Sequence, residues 1–474
     1  MLFVTIPFLV FFLILFSVYW ILPVRWRFGG LLIASLVFYG TWSIPFTVHL
    51  LFIIALNHAV IEVWRLWPKK WLFYSLQIVN VLNISLFKYY YFFFDIVGRL
   101  FGIDGLTSPN LRLADRLEGA EILLPLGISF YTFQIMSYGI DIYRGTYTQR
   151  HRFVDVLLYI LFFPQLIAGP IMRGTELLPQ LQSIKEKSVP DLDTFRRAVW
   201  LLVAGIFKKL LIADRLAPVV APFMEGDLSQ ISAPMIWLYS FMTTAMLYAD
   251  FSAYTDLARG MGLLLGIDIP INFRAPFLMV SMSDFWRRWH LTFSGWIRDY
   301  IYIPLGGSRV PEMRNYLNLI ITFFIGGLWH GASYNFVTWG CLIGLILSLE
   351  GFSFRRGWKE WPDTWPARIL RLVISWFLLL STAVFFFSPS FERSLDLLSH
   401  MFSFQFEQKA PVETGLILYG LVAVFFFQAI EQWPERFKEL RKYDRWLLPL
   451  CVVLVFALVL QYSGQGRDFF YFQF

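Results

Sequence analysis

Apolar residues run almost unbroken along this chain, interrupted by short polar stretches rather than by the regular stripes of a water-soluble fold. A helix needs about 20 such residues to cross a hydrocarbon core. Stretches of this kind lie near 1–22, 28–45, 46–64, 71–90, 121–142, 154–170, 197–213, 232–250, 315–333, 335–351, 366–388, 413–431 and 446–462. A few are short enough to be re-entrant. The pattern therefore predicts an all-α, polytopic membrane protein with about 10–13 transmembrane helices plus re-entrant or interfacial ones. No repeat of solenoid length is present. No pair of interrupted helices recurs in matching halves, which is the mark of inverted-repeat transporters.

Composition points the same way. Hydrophobic residues make up 57% of the 474 and charged residues only 15%, against about 45–50% and about 25% in a soluble domain. The net charge of +7 is carried by basic loops that anchor a membrane protein, so no nucleic-acid partner is implied. Residues 1–22 hold no charge, and Arg25 and Arg27 follow them. A cleaved signal has its cations first, so this segment reads as a retained helix with its N-terminus outside. Further basic stretches at 65–70, 144–152, 355–359 and 436–445 read as cytoplasmic, while 388–400 holds few basic residues and reads as external. An external C-terminus follows if the last helix crosses once. Cys341 and Cys451 sit in apolar runs without disulfide or metal-ligand spacing and read as packing residues.

Three stretches do not read as helices through lipid: 171–196, 250–275 with Asp250, Asp256, Arg259 and Asp268, and 276–312 with its arginines and aromatics. Charged or irregular backbone at membrane depth needs protein or a water-filled cavity around it. A site is therefore expected in the middle of the chain. The densest constellation is Asp284, Arg287, Arg288 and His290, interleaved with Trp286 and Trp289 and continuing to Arg298 and Asp299. On a helix these charges crowd adjacent turns. One reading is an amphipathic helix at the cytoplasmic interface; the other is a cationic vestibule for a phosphate-bearing ligand.

A second constellation is His330, set in the apolar run GGLWHGAS at 326–333. It reads either as a hydrogen-bonded histidine at a close helix crossing or as a general base with small residues leaving room for substrate. His49, His58, His151 and His400 lack such surroundings and read as structural or interfacial.

The motifs NFRAPF at 272–277, SDFWRRWH at 283–290, RDYIYIPLGG at 298–307 and GLWHGA at 327–332 together resemble the bacterial membrane-bound O-acyltransferases. Within that family the likeness is to alginate O-acetyltransferase subunits, whose relatives acetylate peptidoglycan and cellulose. PLGISFYTF at 125–133, FFPQLIAGP at 162–170 and FKK at 207–209 fit the same pattern. The resemblance covers about 121–345 and returns at the C-terminus. It implies one transmembrane domain over 1–474 in the bacterial inner membrane, with helices around a central tunnel. Through it an acetyl group would pass from cytoplasmic acetyl-CoA toward the exterior, with no bound cofactor beyond that donor and no metal.

By the same resemblance His330 matches the family's essential histidine and His290 a second one on the cytoplasmic side, suited to positioning the thioester. Arg287, Arg288 and Arg298 are candidates for the CoA phosphates, though no family rule assigns them singly. The tail at 464–474 ends in FFYFQF. It reads as an interfacial aromatic anchor, or, by likeness to the endings of these acylation systems, as an external relay in which Tyr471 carries the acetyl group. Close relatives usually have isoleucine where this chain has Phe470, a departure that keeps the tyrosine and the outer phenylalanines. The chain has no large external domain to grip a polymer, so a periplasmic SGNH-type acetyltransferase is the expected partner and an envelope polysaccharide the final acceptor, alginate first. The rival readings are acetylation of another envelope polymer, a proton-coupled transporter using His330, and a catalytically silent export scaffold.

Overall fold

The computed structural model describes residues 3–112, 124–356, 364–408, 413–434 and 443–462. All regular elements among the described residues are helical. Among the described residues, five helices are individually long and apolar enough to cross a bilayer: Ile44–Leu66, Tyr334–Arg355, Trp365–Phe387, Thr414–Gln432 and Asp444–Tyr462. Large apolar side chains such as Leu418, Val422 and Phe426 stand exposed on them, as they do where hydrocarbon takes the place of water. Other expected crossings fall on helices that carry more polar residues, among them Lys70–Lys88, Ile128–Tyr143, Leu192–Phe207 and Glu312–His330. Some of their polar groups find partners inside the protein. Asn57 and Asn80, for example, exchange amide hydrogen bonds of 2.8 and 2.9 Å between two helices, which satisfies groups that lipid cannot.

The described residues form two compact units. The first is built from 7–191 and 261–269. Here the apolar stretch expected to span at 154–170 is broken. A helix Phe153–Leu161 stops at Phe162, and a single turn, Phe163–Leu166, follows with Pro164 in its first positions. Proline has no N–H to continue the ladder. Residues 155–172 are buried throughout, so this run is protein core rather than a lipid-facing span.

The second unit comprises 192–260, the segment from 270 onward and a few residues near the N-terminus. A 32-residue helix, Ala233–Leu264, begins here; at 1.5 Å per residue it is roughly 48 Å long. The expectation that helix would fail from Asp250 onward is corrected. Lys209 reaches Asp250 at 2.8 Å and Asp214 at 3.0 Å, and Lys208 reaches Asp256 at 2.8 Å. Pairing removes the reason for the helix to end. The two adjacent lysines reach different carboxylates from a π-helical turn, Lys208–Ala213, the kind of local widening that often marks a functional stretch.

Two helices of this unit, Glu312–His330 and Tyr334–Arg355, pack backbone against backbone. A Cβ on Gly327 would lie 2.2 Å from the Phe336 carbonyl oxygen, and one on Gly340 2.3 Å from that of Phe323. Only glycine permits that approach. The short connection closes with Ser333, whose hydroxyl accepts from the Phe336 N–H and caps the second helix.

Candidate active site

His330 is the last residue of the Glu312–His330 helix, buried at the close crossing just described. Rings surround it: Phe293 at 5.4 Å between centroids, Trp329 at 4.9 Å, Trp339 at 5.3 Å and Phe386 at 5.0 Å. His290 is also buried. It packs on Phe251 at 4.7 Å, Phe293 at 5.0 Å and Trp329 at 5.9 Å. Phe293 and Trp329, themselves 4.6 Å apart, thus touch both histidines. The fold brings the two histidines to one aromatic cluster inside the second unit. An imidazole there has a ring nitrogen able to accept a proton, in surroundings that keep bulk water away.

The segment holding His290 is not the single amphipathic helix expected from its charges. A five-residue helix, Met282–Trp286, ends at Arg287, and His290 then takes the left-handed conformation at φ 44° before the helix Leu291–Ile297. That region is disfavoured for a residue with a Cβ. It is held by a clamp on either side. Asn272 accepts from the Leu291 N–H through its carbonyl at 3.0 Å and from the Thr292 hydroxyl through its side chain at 2.7 Å, and the Arg274 N–H donates to the Arg288 carbonyl at 2.9 Å. Ala275, at φ 46°, is the other left-handed residue with a side chain among the described residues.

The three arginines fall in different places. Arg287 is exposed. Arg288 is half-buried and works within the protein: it donates to Asp284 at 3.0 Å and to Gln432 at 3.0 Å. Arg298 is exposed and lies against the neighbouring Asp299 at 2.7 Å. Tyr471 and the whole aromatic tail lie outside the described residues. The remaining histidines keep to their own surroundings; His151, for example, stacks on Tyr147 and meets Gln182 at 3.0 Å.

Sequence reasoning missed the polar groups that fix this site. Glu350 accepts from the Ser283 N–H at 2.8 Å and the Met282 N–H at 3.1 Å, holding the start of the short helix. Glu431 accepts from the Ala275 N–H at 2.7 Å and the Tyr248 hydroxyl at 2.5 Å, with Lys208 3.6 Å away. The available signal was a lone acid inside each apolar run. Ionisable groups at such positions are costly and ask for a reason.

Comparison with known proteins agrees with this architecture. The profile described as MBOAT, membrane-bound O-acyltransferase family, matches residues 145–390. A peptidoglycan O-acetyltransferase of Helicobacter pylori is 34% identical over 400 residues, covering 78% of this chain and 73% of the relative. A probable alginate O-acetylase, AlgI, of Azotobacter vinelandii is 35% identical over 413 residues, covering 84% and 77%. A teichoic acid D-alanyltransferase of Streptococcus thermophilus is 29% identical over 255 residues, covering 50% and 60%. This chain belongs to the membrane-bound O-acyltransferase family: it is a multi-pass membrane acyltransferase related to the alginate and peptidoglycan O-acetylases.

Proposed function

We propose that this protein takes an acetyl group from cytoplasmic acetyl-CoA and passes it across the bacterial inner membrane for O-acetylation of an envelope polysaccharide, alginate first. The observation that carries the reading is the shared aromatic cluster of His290 and His330. His330 takes the proton from an acceptor hydroxyl, and the hydroxyl oxygen attacks the thioester carbonyl. The C–S bond breaks, and the leaving CoA sulfur recovers the proton from the imidazolium. The carbonyl end of the Glu312–His330 helix complements the positive charge the ring carries in between. His290 positions the thioester, and Arg287 and Arg298, both exposed, meet CoA phosphates. Arg288, held by Asp284 and Gln432, shapes the loop instead.

The whole chain, 1–474, acts as one transmembrane domain with both termini external. Tyr471, at the tail, is the first acceptor hydroxyl and hands the acetyl group to a periplasmic SGNH-type transferase. The names of the relatives support an envelope polymer as final acceptor: alginate in one, peptidoglycan in another. Radiolabelled acetyl-CoA supplied to inside-out vesicles tests the donor. Label should pass to protein or acceptor with the wild type and not with His330→Ala; a wild type that transfers nothing sinks the reading. Full polymer acetylation in cells carrying Tyr471→Phe would remove the relay.

A further inference from the structure

The helix Thr414–Gln432 has two unlike faces. One carries exposed Leu418, Val422 and Phe426. The other carries Gln428, Glu431 and Gln432, at i, i+3 and i+4 and so side by side. Each of the three accepts a hydrogen bond from a different point of the 275–288 stretch. Gln428 accepts from the Phe277 N–H at 2.8 Å, Glu431 from the Ala275 N–H at 2.7 Å, and Gln432 from the Arg288 guanidinium at 3.0 Å. Arg288 and Arg274 are joined in turn through backbone, as are Leu291 and Asn272. Both left-handed residues, Ala275 and His290, lie in the segment so bound.

A helix packed only for lipid has no need of three polar side chains, and a carboxylate placed among them is costly unless paired. Glu431 is paired, with Lys208 at 3.6 Å. We propose that Glu431, with Gln428 and Gln432, is a positioning face that holds the 272–290 segment in the shape that presents His290 to the acyl donor. The inference rests on the reading of His290 as the donor-side histidine. Residues 428–432 lie beyond the 145–390 span of the family match, so that match assigns them no part.

The test uses the full chain, wild type against Glu431→Ala, Glu431→Gln and Gln432→Ala, with two readouts. The first is backbone hydrogen exchange, which needs no substrate. Glu431→Ala should speed exchange within 272–290 while the Glu312–His330 and Tyr334–Arg355 helices stay protected. The second is the rate of labelled acetyl transfer in vesicles against acetyl-CoA concentration. There Glu431→Ala should raise KM at least about tenfold with a smaller effect on kcat, since misplacing a positioning group costs about that much or more. Glu431→Gln keeps an oxygen for the Ala275 N–H and should recover most of the loss. If Glu431→Ala does not fold, Gln432→Ala decides by the same two readouts. Unchanged exchange in 272–290, or faster exchange everywhere alike, overturns the proposal. A wild type silent toward acetyl-CoA sinks the donor assignment instead, and the exchange result still judges the positioning face.

Discussion

His290, in the turn before one helix, and His330, at the end of another, pack against the same two rings, Phe293 and Trp329. The arrangement makes the histidines neighbours in one water-poor cluster rather than two independent features. Phe293 is the more exacting of the two rings, because it lies at similar distance from both, 5.0 and 5.4 Å.

Shortening that ring should therefore disturb both histidines at once. Phe293→Ala is expected to lower kcat/KM for acetyl transfer by about a hundredfold, the scale of a small misplacement of reacting groups. Phe293→Tyr, which keeps the ring, should stay within several-fold. Transfer of labelled acetyl in vesicles measures both. An alanine variant as active as the wild type would show that the cluster has no part in the chemistry.

His330 itself should matter to rate rather than to folding. His330→Ala is expected to reduce transfer by about 10²–10⁴-fold, the usual contribution of a general base. Its elution profile in detergent should match the wild type. Equal loss of folded protein and of activity would point to a packing role at the helix crossing.

The buried lysines make a stability prediction. Lys209 is almost fully enclosed between Asp250 and Asp214. Lys209→Met leaves those carboxylates without their cation and should cost about 3–5 kcal/mol. Adding Asp250→Asn should restore part of the loss, because the two residues interact directly. Thermal unfolding of the four proteins in detergent closes the cycle; strictly additive effects would contradict the pairing.

The backbone crossing gives another. Gly327→Ala places a Cβ where the Phe336 carbonyl oxygen stands, so the helices must part. A loss of about 1–3 kcal/mol is expected, as for overpacking elsewhere, together with impaired transfer because His330 follows in the same helix. Gly415→Ala, with open space around its Cβ, is the control. If both changes shift the melting temperature equally, the close crossing is not what matters.

Much of this protein could be read without coordinates. Long apolar runs announce helices in lipid because the bilayer offers a backbone no other donor or acceptor. Local motifs picked out His290 and His330 as candidates. The same reasoning misread 154–170 as a span, because a buried core run and a lipid-facing run look alike in composition. It also expected helix to fail near Asp250, since a charge in an apolar run carries no label naming its partner.

What the sequence determined by itself, then, is the solvent, the helical class and the residue types available for chemistry, all of which depend on local composition and spacing. Tertiary structure alone decided which of them meet. Lys208 finds Asp256, and Glu431 finds Ala275 and Tyr248, across long separations in the chain. Phe293 and Trp329 join His290 and His330 in one cluster, and Gly327 and Gly340 let the helix that ends at His330 close on its neighbour. Hydrogen bonds and ring contacts act over a few ångströms and are indifferent to chain position, so the partners of a polar group in lipid become visible only when the helices are packed.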